Sequence, residues 1–74
     1  MNLSKLEKEL INIHAPKDMY SLKGGLPNEA YTINNTGDTW EVYYSERGSK
    51  TNLKVFDSEG EACRYFLEMI KEII

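Results

Sequence analysis

The sequence predicts a two-layer α+β domain: a small antiparallel sheet of three to four strands, with an N-terminal and a C-terminal helix packed on one face. Three observations predict it. Apolar residues recur at helical spacing at both ends of the chain, they alternate at strand spacing through its middle, and short Gly- and Asn-containing turns cut that middle into segments. Strands joined by such short loops are expected to run antiparallel. Two helices beside one sheet then give two layers. At 74 residues the chain reads as one domain, 1–74, close to the size below which a core needs staples.

Leu3, Leu6, Leu10 and Ile13 step by three, four and three, which is one face of an amphipathic helix. Asn2 or Ser4 would cap it, and Lys5 with Glu9 has the spacing of an i, i+4 ion pair. His14-Ala15-Pro16 ends it, because the residue before a proline is pushed out of helical geometry. Met19–Leu22 reads as a short strand, and Lys23-Gly24-Gly25-Leu26-Pro27-Asn28 as a turn. Residues 30–34 alternate around Tyr31 and Ile33 and predict a strand, followed by a hairpin loop over 34–38.

The central strand is expected at about 39–46. Trp40, Val42 and Tyr44 would face the core, leaving Glu41, Tyr43 and Ser45 on the outer face. Arg47-Gly48-Ser49-Lys50 turns the chain into a last strand over 52–56, with Leu53 and Val55 on one side and Phe56 on the other. Ser58 and Glu61 then form a capping box. Behind it, Ala62, Phe66, Met69, Ile70 and Ile73 predict the core face of the final helix.

Composition excludes several functions. A net charge of −3 and a pI near 5.0 argue against a nucleic-acid binder, which normally carries a basic stripe. The single cysteine, Cys63, excludes an internal disulfide and a cysteine-based metal cluster. No apolar run approaches the roughly 20 residues of a membrane span, and the N-terminus lacks a signal-peptide core. A cytoplasmic location is the expectation. His14 suits a helix C-terminus, Cys63 a small core position, and Lys23-Gly24-Gly25 a turn without the helix start that a phosphate loop needs. No metalloprotease, P-loop, dinucleotide or hydrolase motif is present, so neither catalysis nor a cofactor is expected.

Recognition remains. Tyr20, Tyr31, Trp40, Tyr43 and Tyr44 concentrate large aromatics in the middle of the chain, and tyrosine offers contact area with a hydroxyl for specificity. Glu41, Tyr43, Glu46 and Arg47 are the expected partner-binding residues, with Asp57 and Glu59 as neighbours at the sheet's edge.

Two stretches together, Tyr20-Ser21-Leu22-Lys23-Gly24-Gly25-Leu26-Pro27-Asn28-Glu29-Ala30-Tyr31 and Trp40-Glu41-Val42-Tyr43-Tyr44-Ser45-Glu46-Arg47-Gly48, resemble small bacterial immunity proteins of polymorphic and contact-dependent growth inhibition systems. Phe56, Ser58-Glu59 and Glu61-Ala62-Cys63 extend the resemblance, which covers about residues 18–68. It implies an inhibitor that binds a cognate toxin domain, often a nuclease, one to one in the cytoplasm and blocks its active site. The alternative expectation is a small structural or regulatory adaptor that homodimerises through a sheet edge or its last helix.

Overall fold

Asn2 starts the first helix, α1 (Leu3–Asn12), by accepting the Lys5 amide on its side chain at 2.9 Å. The computed structural model describes residues 1–74. Leu6 and Leu10 are fully buried along the inner face of α1. Its end is a Schellman closure: the Ala15 amide reaches Leu10 O and the His14 amide reaches Ile11 O, each at 3.0 Å. His14 occupies the left-handed position of that closure, with φ 61°, which costs a residue with a Cβ about 1–2 kcal/mol. The Lys5–Glu9 pair does not form, since the sole ion pair of the chain joins Lys50 to Glu41.

A 3₁₀ turn over Lys17–Met19 leads into strand β1 (Tyr20–Ser21). The remaining strands are β2 (Ala30–Asn35), β3 (Trp40–Glu46) and β4 (Ser49–Phe56), and helix α2 (Glu59–Ile73) closes the chain. The sheet order is β1-β2-β3-β4. Pairing is antiparallel for β2–β3 and β3–β4, as expected, but β1 runs parallel to β2. The reason is the segment between them. Residues 22–29 form a return loop long enough to bring the chain back to the end at which β1 began, where a hairpin turn would have reversed it.

Hydrogen bonding lengthens the strands beyond their apolar pattern. β4 begins at Ser49 because Arg47 and Gly48, with φ 50° and 79°, make a two-residue turn with both positions left-handed. That geometry matches the twist of the flanking strands. A bulge follows where Asn52, at φ 54°, and Leu53 together oppose Tyr43.

Both helices lie on one face of the sheet. Ile33 and Val42 project from it into a core completed by Leu6, Leu10, Ala15, Ala62, Cys63, Phe66, Leu67 and Ile70. Trp40, Tyr31 and Phe56 pack around its margin. The final helix buries Ala62, Cys63, Phe66, Leu67 and Ile70, but Ile73, expected on the same face, is 47% exposed in its last turn. Ser58 caps this helix, accepting the Glu61 amide at 3.2 Å and donating to its carboxylate at 3.1 Å. Glu59, in its first turn, accepts the Leu3 amide at 2.9 Å, which ties together the starts of the two helices.

The opposite sheet face is covered in part by residues 22–29. Gly24 donates to Ile33 O at 3.1 Å. Tyr43 Oη donates to Gly25 O at 2.6 Å. Gly24 has φ 69°, and any Cβ there would run into Asn34 Oδ1.

Two outcomes are expected of stability measurements. His14→Gly relieves the left-handed strain and should raise stability by about 1 kcal/mol, or roughly 4–8 °C in Tm. Gly24→Ala imposes the same backbone cost and displaces Asn34, so urea melts should show a loss of about 2 kcal/mol. Unchanged melting of either variant would contradict the backbone geometry assigned here.

Candidate functional site

The outer half of β3 does not present the surface expected of it. Tyr43, expected to face solvent, is 1% exposed. Alternation does send it away from the helices, but the loop at Gly25 closes over its hydroxyl and the Lys50 ammonium lies 4.8 Å from its ring centroid. Glu41 is held in the same layer. One of its carboxylate oxygens meets Asn34 Nδ2 at 3.3 Å and Lys50 Nζ at 3.2 Å. An ion pair this exposed on the lysine side contributes at most about 1 kcal/mol. Its larger effect is to align β2, β3 and β4 across one face. Tyr43 and Glu41 are therefore framework.

Burial pushes the Tyr43 hydroxyl above the ordinary tyrosine range, with Lys50 opposing the shift and Glu41 adding to it. Ser45, also on this face, is fully buried and its hydroxyl has no partner.

Glu59 is structural as well, because its carboxylate serves the Leu3 amide. It also stands beside Cys63, whose thiol is pushed up to about 11, first by burial and then by Glu59, with the N-terminal amine acting the other way. A buried, protonated thiol is a poor nucleophile. Asp57 follows β4 at the Trp40 end of the sheet, because Phe56 pairs with Trp40. Glu46 and Arg47 sit at the other end. Five residue steps along β3 separate Glu41 from Glu46, roughly 17 Å along a strand. The six expected residues thus fall into three places, and only Glu46 and Arg47 stay together on an exposed surface.

That hairpin end gathers residues the sequence did not select. Tyr31 and Tyr44 are cross-strand partners, with ring centroids 4.7 Å apart and planes tilted by 56°. Both are half-buried at the margin of the helix-facing side. The next residues outward from the Ala30–Ser45 pair are Glu29, in the loop that enters β2, and Glu46, the last residue of β3, so two carboxylates belong to the same end of the sheet. Like charges gathered so repel. Glu29 also has a left-handed backbone, φ 52°.

The Tyr44 hydroxyl registers the combined field. Its pKa is raised by burial first, then by Glu29, Glu46 and Tyr31. None of Glu29, Glu46 and Arg47 takes part in an ion pair within the chain.

The cluster lies outside the two open grooves of the molecule. One groove, of about 360 Å³, runs beside Tyr20, Ile11 and Lys23. The other, of about 510 Å³, lies between the helices at Lys5, Lys8 and Arg64. Polar and aromatic surface outside a groove suits a macromolecular partner, whereas small ligands are taken up in concave sites. No three His, Cys, Asp or Glu side chains come together as metal ligands, and no helix is long and apolar enough to cross a membrane. Comparison with known proteins finds no matching family model, no matching curated sequence and no matching solved structure.

A ring-resonance pH titration checks the electrostatics of the hairpin end. Replacing both carboxylates, Glu29→Gln with Glu46→Gln, should bring the Tyr44 titration down and leave that of Tyr43 in place. The raised tyrosine values mean that the folded chain keeps protons the unfolded chain releases near pH 10. Their contribution to stability is present below that pH and is lost as pH rises through the folded values.

Proposed function

We propose that this chain is an immunity protein that binds one cognate toxin domain, of nuclease type, and occludes its active site with the end of the sheet at Glu29, Tyr31, Tyr44, Glu46 and Arg47. The observation that carries the reading is a convergence. The stretches 20–31 and 40–48, which bear the resemblance to immunity proteins, are separated in sequence, yet they pack on one another through Tyr43 Oη and Gly25 O and through the β2–β3 register. Together they build the hairpin end. Acidic groups there suit the basic surface with which a nuclease holds its substrate, since charge complementarity speeds encounter and fixes register.

Arg47 adds a second support. A two-residue turn of this type favours Asn at its first position. The chain instead holds an arginine at φ 50° with no ion pair of its own. A side chain kept where the backbone disfavours it points to a role outside the fold.

The adaptor reading draws on the outer edge of β4, whose eight residues have no strand beyond them, and on the exposed apolar side chains of Leu53, Val55, Tyr65 and Ile73. Lys50, Lys54 and the bulge at Asn52 are features that discourage edge pairing, and they weigh against self-association there.

The test is co-expression with the toxin domain encoded beside this chain, reading growth protection and the mass of the complex. A protected culture and a one-to-one complex are expected. Arg47→Asn should melt no lower than the parent, because it suits the turn, while weakening the complex by about 2 kcal/mol, close to thirtyfold. Full protection by Arg47→Asn and by Glu46→Lys would remove the hairpin end as the interface. Absence of protection by the parent chain would remove the inhibitor reading itself.

A further inference from the structure

We infer that the Tyr31–Tyr44 pair, between Glu29 and Glu46, is a seat for one arginine side chain of the partner protein. The inference deepens the proposed binding function and rests on it for the identity of the partner, though the chemistry of the seat stands on the local geometry.

Three features converge on a guanidinium. The first is aromatic. Tyr31 and Tyr44 are tilted against each other at 4.7 Å and partly exposed. Tyr43 is the one tyrosine whose hydroxyl bonds within the chain, so those of Tyr31 and Tyr44 are free to accept from a donor. Tyrosine faces attract cations through the ring quadrupole.

The second is charge. Glu29, just before β2, and Glu46, the last residue of β3, lie at the end of the sheet where Ala30 pairs with Ser45, and no cation of this chain neutralises them: Arg47 pairs with neither, and Lys50 is committed to Glu41. Two unneutralised carboxylates at one end of the sheet are stabilised by a cation placed near both.

The third is shape. A guanidinium stacks its plane on a ring while its five N–H groups fork toward carboxylates, whereas an ammonium offers only a point charge. A seat with an aromatic wall and two flanking carboxylates suits the planar fork.

The closest competing surface is the groove at Lys5, Lys8 and Arg64. Its charge is of the opposite sign and partly answered by Glu9, which lines the same groove, and it does not meet the hairpin end.

The experiment titrates the full chain with N-acetyl-arginine amide, its neutral isostere N-acetyl-citrulline amide, and N-acetyl-lysine amide (acylated at the α-nitrogen only), following the tyrosine ring resonances. The arginine amide is expected to move Tyr31 and Tyr44 while Tyr43 stays still, and to bind about fivefold more tightly than the citrulline amide. Glu29→Gln with Glu46→Gln should abolish that difference, and its unchanged circular dichroism would show that the fold is retained. Equal responses to arginine and citrulline overturn the seat. So does arginine binding that survives the double replacement, or a lysine amide that binds as tightly as the arginine amide.

The two readings fail separately. A captured toxin and a protected culture with a blank arginine titration would remove the seat and leave the inhibitor function. A selective titration without a toxin partner would do the reverse.

Discussion

The structure depends on β3 being buried from both sides. Val42 and Tyr43 are neighbours in sequence, point in opposite directions, and are each 1% exposed. Val42 enters the core made with the two helices. Tyr43 is closed off by a loop whose carbonyl at Gly25 takes its hydroxyl proton. In a domain this small the helix-side core alone buries little, and a bulky tyrosine left open on the other side would waste most of its apolar area. Covering it gives the sheet a second, thin layer without a third helix.

The cover sets the topology. The chain must pass across the sheet between β1 and β2, so it returns to the starting end and pairs in parallel, using only two residues of β1. Gly24 permits the crossing because the backbone comes so close to Asn34 that no Cβ fits, and its left-handed φ suits glycine. Asn34 is thereby fixed against Glu41, and Glu41 against Lys50. Framework polar groups are spent in this chain of contacts, which makes the uncommitted ones easy to recognise.

Those uncommitted groups lie at the end of the sheet where β2 begins and the β3–β4 hairpin turns. There Glu29 and Glu46 flank the Ala30–Ser45 pair, Arg47 is held at a disfavoured backbone angle, and two tyrosines form a partly exposed wall. Each of these features costs the isolated chain some stability through repulsion or strain, and each is relieved or used when a complementary surface arrives. A basic, arginine-bearing surface is the complement, which links the charge of this end to the type of toxin proposed.

Local patterns in the sequence determined the elements: the leucine spacing of α1, the Ser58–Glu61 cap of α2, the alternation of β2 and β3, and the α+β class that follows from their order. Burial of Val42, Ile33, Leu6 and Phe66 was legible because period and polarity agree at those positions. The sequence set Glu46 and Arg47 where the central strand gives way to its turn, and both are exposed, Glu46 as the last residue of β3 and Arg47 in the turn. It could not place Tyr43, since alternation assigns a side of the sheet but does not say what lies on that side. The loop over residues 22–29 covers that side through contacts between residues 18 positions apart, and no periodicity carries such information. The pairing of Tyr31 with Tyr44, which gathers Glu29 and Glu46 at one end of the sheet, was hidden for a related reason. It is set by the register of β2 against β3, which depends on where the 36–39 loop closes, and only the folded sheet decides that.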